Sequence, residues 1–268
     1  MRLLFLPLAL LGFLLTSCLE NSVVVKIHKD GSGLIHIRKH SKNSSNAEDV
    51  EMPTDEELAQ AAAGMGPQVK LVSAKKGTNP QGWHGYEVIY EFPDINKLTL
   101  RNKDNQQGKD NEPNGMSATS FEFSMKDGVL EVISNSPEWD NPKTLGSEAF
   151  QTEGTTIDPF AHSQKGSAQK IGLTSTLTDQ DKIMRAASKD MRIGYFIQPA
   201  DPVKSTNALY QKDGLITLFR LDVEKLYREG TPDFDQFNGL SREEFAERVA
   251  ETDGLDFDLQ KPILIDFE

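Results

Sequence analysis

Side chains able to hold a metal, move a proton or attack a substrate cluster in four places along the chain. His28, His36 and His40 share parity in a segment of alternating apolar residues, so an extended backbone sets all three on one side. Grouped imidazoles ligate zinc, yet four residues of strand span about 13 Å, beyond shared ligation. Lys26 and Arg38 share that side and would repel a divalent cation, so a solvated strand face and no metal are expected. The run Asp253-Gly254-Leu255-Asp256-Phe257-Asp258 offers carboxylates of the kind calcium takes. Its glycine is misplaced for an EF-hand loop and no bidentate glutamate follows, so a polar strand face is the expectation. Ser73-Ala74-Lys75-Lys76 and Ser167-Ala168-Gln169-Lys170 match Ser-x-x-Lys, in which lysine activates a serine nucleophile, without the Ser-Asp-Asn or Lys-Thr-Gly that accompany it. Trp83 and His84, between Gly82 and Gly85, form an aromatic pair at a turn. They are the candidate binding residues: such a tryptophan either meets a ligand or the membrane interface, or folds back onto a sheet. No phosphate-binding loop, dinucleotide fingerprint, His-Glu-x-x-His helix or Gly-x-Ser-x-Gly elbow occurs, so neither catalytic residues nor a cofactor are assigned.

Cys18 is the chain's single cysteine and closes the run Leu15-Thr16-Ser17-Cys18, behind Arg2 and an apolar stretch from Leu3 to Leu15. The arrangement resembles the lipobox of bacterial lipoproteins. The apolar stretch has the length of a signal-peptide core and is too short to cross a bilayer core of about 30 Å. Residues 1–17 are therefore read as a signal peptide. The resemblance implies that the Cys18 thiol becomes a thioether to a diacylglyceryl group and that its freed amine takes a further chain, such as palmitate. At about 0.8 kcal/mol per buried methylene, two or three chains hold a protein on a membrane. A lone thiol in an exported chain otherwise has no intramolecular partner. Leu19, where aspartate would stand in a retained lipoprotein, is similar to the pattern of those sent to the outer membrane of diderm bacteria.

The 268 residues carry 29 basic against 41 acidic side chains, a formal net charge of -12. Such a chain is repelled by nucleic acid, which is excluded as a partner. The charge is uneven: Lys26, Lys29, Arg38, Lys39 and Lys42 lie near Cys18, whereas residues 229–268 are dominated by carboxylates. An apolar content of 37% supports a core but leaves long polar stretches outside it.

Three Lys-Asp-Gly triplets mark the elements that would position these groups: Lys29-Asp30-Gly31, Lys126-Asp127-Gly128 and Lys212-Asp213-Gly214. Asp-Gly between apolar runs is a hairpin signal, because glycine accepts the positive φ of a tight turn. A three-residue loop ending in Gly31 sets Val25 opposite Ile35 and Val23 opposite Ile37. A two-residue loop at Asp127-Gly128 sets Phe123 opposite Val132 and Met125 opposite Leu130. The third triplet runs into an apolar stretch from Leu215 to Leu221 whose period leaves the register open. Further strands are expected at Val69–Ala74, Tyr86–Phe92 and Ile263–Phe267.

Thr54 followed by Glu57, and Ser241 followed by Glu244, read as capping boxes. The first predicts a helix through Leu58 stopped at Gly64–Gly66, the second a helix carrying Phe245 and Val249 one turn apart before Gly254. Thr178 caps a third candidate, and Asp222–Arg228 offers a short fourth. Residues 103–117 are built almost entirely of Asn, Asp, Gln, Gly, Lys and Pro, and residues 140–175 are rich in Gly, Ser and Thr with little periodicity; both read as flexible loops. The whole reads as one α+β domain over 18–268, an antiparallel sheet of hairpins with three to four helices.

The blocks Gly82-Trp83-His84-Gly85-Tyr86, Tyr90-Glu91-Phe92-Pro93-Asp94-Ile95-Asn96-Lys97-Leu98 and Ser205-Thr206-Asn207-Ala208, with a strand, Asp-Gly-Ser turn and strand from Val23 to His40, resemble the LppM-type lipoprotein domain. The resemblance implies an envelope-facing α+β domain without known enzyme chemistry, for which lipid or glycolipid binding is proposed in relatives; it carries over no site residue. The expected function is that of a non-catalytic, lipid-anchored cell-envelope protein that binds a lipid or glycolipid, with an apolar groove between sheet and helices. A structural or assembly role beside another envelope protein is the alternative, and a hydrolase the third.

Overall fold

The computed structural model describes residues 19–42, 44, 46–101, 120–135, 190–228 and 240–268. The segment 1–17 read as a signal peptide, Cys18, the stretches 103–117 and 140–175 read as loops, the Ser167–Lys170 pattern and the helix read after Thr178 lie outside the described residues. The first hairpin joins β1 (Leu19–Ile27) to β2 (Gly33–Ser41), and α1 (Asp55–Met65) leads into β3 (Lys70–Thr78) and β4 (His84–Phe92). A short 3-10 turn, Ile95–Lys97, precedes β5 (Thr99–Arg101), β6 (Ser120–Lys126) and β7 (Val129–Asn135). Then come β8 (Arg192–Pro199), β9 (Val203–Thr206), β10 (Gln211–Lys212), β11 (Leu215–Asp222) and α2 (Val223–Leu226). The chain continues with α3 (Arg242–Glu251), β12 (Leu255–Phe257) and β13 (Ile263–Phe267).

The turns form as their glycines require. Gly31, at φ +85°, closes a three-residue loop in which His28 N–H donates to the Ser32 carbonyl at 2.9 Å. Val25 then faces Ile35 and Val23 faces Ile37, as expected. At the second and third turns Asp127 and Asp213 both have φ 52°, followed by Gly128 at 79° and Gly214 at 76°. Two successive positive φ values make a type I′ turn, whose twist matches that of the strands it joins. Phe123 faces Val132 and Met125 faces Leu130, while the third turn sets Gln211 opposite Ile216.

Both capping boxes are present. Glu57 N–H donates to Thr54 Oγ1 at 3.2 Å while the Glu57 carboxylate accepts from Thr54 N–H at 2.7 Å, and Ser241 with Glu244 repeats the pattern. The helix at 222–228 is a single turn capped by Asp222. Three α-helices occur among the described residues.

The strands form two sheets. The larger has the order β10-β11-β8-β1-β2-β4-β3 with β12 also on β11, and the smaller runs β5-β6-β7-β13-β9. The fold is α+β and mainly antiparallel, with one correction: β1 pairs β8 in parallel, Val23 beside Tyr195 and Val25 beside Ile197, so the larger sheet is mixed. Strand β8 lacks a clean two-residue period, since Ile193, Tyr195, Phe196 and Ile197 put apolar groups on both faces.

One core fills the space between the sheets. Val25, Ile27, Ile35, Ile197 and Ile216 of the larger sheet and Leu130, Val132, Ile263 and Ile265 of the smaller are fully buried. Each such side chain contributes about 1.5–3 kcal/mol. Leu58 and Ala62 bring α1 onto this core, and Tyr90 donates its hydroxyl to the Leu58 carbonyl at 3.3 Å. A second cluster joins Phe245 and Val249 of α3 to Leu255, Phe257 and Leu259. Aromatic contacts link the two: Phe121 to Tyr195 at 5.5 Å between ring centres, Tyr195 to Phe219 at 6.5 Å, and Phe219 to Phe257 edge-on at 5.4 Å.

Candidate functional site

Strand parity places Val23, Val25 and Ile27 against the core, so Glu20, Ser22, Val24 and Lys26 stand on the opposite face of the larger sheet. The registers carry that face across the sheet. One row runs Lys75, Glu87, Arg38, Ser22, Gly194, Arg220, Asp256, each opposite the next on the adjacent strand. The row beside it runs Gly77, Gly85, His40, Glu20, Arg192, Asp222. Cross-strand neighbours are close enough to interact, and opposite charges stabilise such pairs.

Glu87 is the hub of one half of the face. Its carboxylate lies 3.4 Å from Lys75 Nζ, 3.6 Å from His36 Nε2 and 3.7 Å from Arg38 Nε. Burial pushes the Glu87 carboxyl up, but His36, Lys75 and Arg38 outweigh it and hold it below the usual carboxylate range. Burial, reinforced by the Arg38 guanidinium, holds His36 below the ordinary imidazole range. In the other half Arg192 Nε lies 3.6 Å from Asp222 and its Nη2 3.2 Å from Glu224, while Arg220 pairs with Asp256.

His40, beside this network, is buried at 2% exposure and neither ring nitrogen has a hydrogen-bond partner. Burial lowers its pKa, with Glu20 opposing. A strap from the β3–β4 loop reaches the strand beside it. Asn79 Nδ2 donates to Glu20 Oε2 at 2.5 Å, and Glu20 sits two strands away from β4, past His40 and Gly85. Gly85 must be glycine here, since a Cβ would come within 2.0 Å of the Lys39 carbonyl oxygen and 2.8 Å of the His40 ring. Asn79 also organises its own loop: its Oδ1 accepts from Gln81 N–H at 3.1 Å and Trp83 N–H at 2.8 Å, and its N–H donates to the Trp83 carbonyl at 2.9 Å.

Trp83 is half-buried in that loop, and His84 opens β4 with Nδ1 2.9 Å from Thr78 Oγ1. The three histidines are not brought together as a solvated face. His28 lies on the first turn, 3.4 Å from Asp201, His36 is half-buried in the Glu87 cluster and His40 is buried. Among the described residues no group of three or more His, Cys, Asp or Glu is placed to hold a metal ion. The aspartates after α3 are divided as well, which corrects the polar strand face expected there. Asp253 pairs with Arg228 at 3.3 Å, Asp256 with Arg220, and Asp258 is fully buried. Asp258 accepts from Leu209 N–H at 2.8 Å and Gln260 N–H at 3.1 Å; burial raises its pKa against those backbone bonds. Lys76 of the first Ser-x-x-Lys pattern donates to the Glu48 carbonyl at 2.8 Å, while Ser73 lies opposite Ile89.

The charged rows escape a reading of the sequence because each strand contributes only one or two members. Parity assigns Glu87 or Arg192 to a face, but only the register says which strand's charge lies opposite. Among the described residues no helix is long and apolar enough to cross a membrane.

No protein family matches the chain, and no curated protein matches it either. Among solved structures it is similar to the folded domain of LppM from Mycobacterium tuberculosis, determined by NMR, at 9% identity and a TM-score of 0.35, covering 95% of this chain and 93% of that one. No role of any residue is carried across at that distance.

Proposed function

We propose that the chain is a lipid-anchored protein of the bacterial cell envelope that binds rather than catalyses, held through Cys18 and presenting the outer face of its mixed sheet to the polar part of a lipid or glycolipid. The observation that carries this reading is positional. Leu19, the residue after Cys18, already opens β1, a central strand of the larger sheet. An acyl group on Cys18 would therefore hold the sheet at the bilayer with no intervening linker. The face beside that end carries three guanidinium groups on three strands, Arg38, Arg192 and Arg220, with side chains 44%, 36% and 42% exposed. Guanidinium forks suit phosphate and carboxylate groups of lipids and sugars. In a diderm organism the outer membrane is the destination that Leu19 suggests.

Intact-mass analysis of the chain from its own host, beside Cys18→Ala, tests the anchor: the parent carries added acyl mass and the variant carries none. Native mass spectrometry of the same acylated protein released from detergent tests the binding role. A stoichiometric bound lipid or glycolipid, lost on Arg38→Ala or Arg192→Ala, is the expected result, and a chain that always flies empty would sink it. The assembly alternative rests on β3, an edge strand whose Leu71 and Val72 are 41% and 54% exposed. Exposed apolar edges pair with other chains, and cross-linking through β3 in intact cells would favour it.

A further inference from the structure

The end of the sheet at which the anchor would sit is a built surface. Leu19 of β1 lies opposite Ser41 of β2, Ser41 opposite His84 of β4, and His84 opposite Thr78 of β3, so four strands end at one level. The loop joining β3 to β4 therefore projects from the same end as residue 19. Its crest, Pro80 to Gly82, is exposed, and Trp83 stands half-buried at its base. The loop is held to the anchored strand itself, because Asn79 Nδ2 donates to Glu20 Oε2 at 2.5 Å, two residues past Cys18. Two further bonds to Asn79 Oδ1 and the Gly82 N–H to Asn79 carbonyl bond at 2.9 Å fix its shape.

A residue of extended chain reaches at most about 3.6 Å, so a bilayer holding the Cys18 lipid lies directly below this end. Tryptophan is the side chain that settles at such a level, its apolar ring toward the acyl chains and its indole N–H toward water and headgroups. We propose that the Asn79–Trp83 loop is a membrane-contact surface and that Trp83 seats in the headgroup layer of the bilayer that holds the Cys18 lipid. This rests on the lipid-anchor reading above. The contact sets the posture of the domain: with the lipid at the end of β1 and Trp83 at the end of β4, two strands away, the sheet stands on two points and its charged face is held beside the membrane surface.

The test uses the full acylated chain in vesicles of phosphatidylethanolamine and phosphatidylglycerol. The chain has 2 tryptophans, so Trp139→Phe leaves Trp83 as the only reporter. A second reporter, Leu34→Trp in a Trp83→Phe, Trp139→Phe background, lies opposite Lys26, seven residues along β1 from Leu19 and about 23 Å from the anchored end. Nitroxide carried on the lipid headgroup or high on the acyl chain is expected to quench Trp83 several-fold and to leave the Leu34→Trp reporter unchanged, with iodide doing the reverse. An acylated chain that floats with the vesicles while Trp83 remains open to iodide overturns the contact surface alone. Equal lipid quenching of both reporters overturns it as well, since the sheet then lies flat. Trp83 shielded from both quenchers means that a protein covers the loop, a third way to lose the proposal. A chain without acyl mass that stays in solution removes the anchor, and the contact surface with it.

Discussion

The two sheets are alike inside and different outside. Their facing sides carry the same kind of residue at the same burial, Val25, Ile35 and Ile197 against Leu130, Val132 and Ile263. Their outer sides diverge. The larger sheet bears the Glu87 cluster, the Arg192 cluster and the Arg220 pair on neighbouring strands, whereas Lys204 to Asp266 at 3.0 Å is the ion pair recorded on the smaller sheet among the described residues. Burial of apolar area needs only alternation and volume, so both sheets meet it the same way. A continuous charged face needs each strand to bring the matching sign at the matching level, which folding alone does not demand.

Equal insides predict equal losses. Ile35→Ala in the larger sheet and Leu130→Ala in the smaller should each cost about 2–5 kcal/mol in urea unfolding, from lost transfer energy and the cavity left behind. A loss confined to one of them would mean that the sheets do not share a core. Next in size is Asn79→Ala, which strips partners from the backbone N–H groups of Gln81 and Trp83 and releases the strap from Glu20. About 1–3 kcal/mol is expected, with faster hydrogen exchange at residues 79–84, and unchanged exchange there would argue that the strap is ornamental.

The outer faces separate at smaller energies. Glu87→Gln removes the charge facing Lys75 and Arg38 and should cost about 1 kcal/mol, while Asp266→Asn on the smaller sheet should cost under about 0.5 kcal/mol. Raising salt should shrink the first difference more than the second. If the two substitutions are equivalent in low salt, the Glu87 cluster has no cooperative value.

Acid gives the finest test. His36 and His40 are held below the ordinary imidazole value, so the unfolded chain binds their protons first. Stability is full above the unfolded pKa of about 6.5 and is lost as pH falls from there toward the lowered folded values. Asp258 works the other way: its folded pKa is raised, so its contribution weakens as pH climbs from the ordinary carboxylate value through the folded one. His40→Leu isolates the imidazole share and should flatten the slope of stability against pH just below 6.5. A slope identical to that of the parent would show that His40 does not titrate with unfolding.

Much of the local structure was legible beforehand. Each Asp-Gly triplet became a turn with its glycine at positive φ, and both Ser/Thr-to-Glu spacings became capping boxes. The strand at 263–267 was drawn to its observed limits, whereas β8 was missed because Phe196 folds over Gly194 on the outer face and breaks the alternation; a Cβ on that glycine would come within 2.4 Å of the ring. The parity of His36 and His40 on β2 was assigned correctly, but their setting was not, because Glu87 reaches His36 from β4 and His40 is buried between Glu20 and Gly85 of the neighbouring strands. Trp83 and His84 were singled out for their composition alone, and their place at the strand end beside residue 19 came from three successive registers.

The chain's order of residues settled what acts over a few bonds: positive φ at glycine, side-chain caps on free N–H groups, and the facing of two strands joined by a short turn. Tertiary structure decided what joins distant segments: the parallel seat of β8 beside β1, the insertion of β13 between β7 and β9, and the two charged rows. The reason is physical. A local preference is set by steric and hydrogen-bonding limits within one turn, whereas the choice among distant partners depends on which arrangement buries the most apolar area while leaving no strand or charge unmatched.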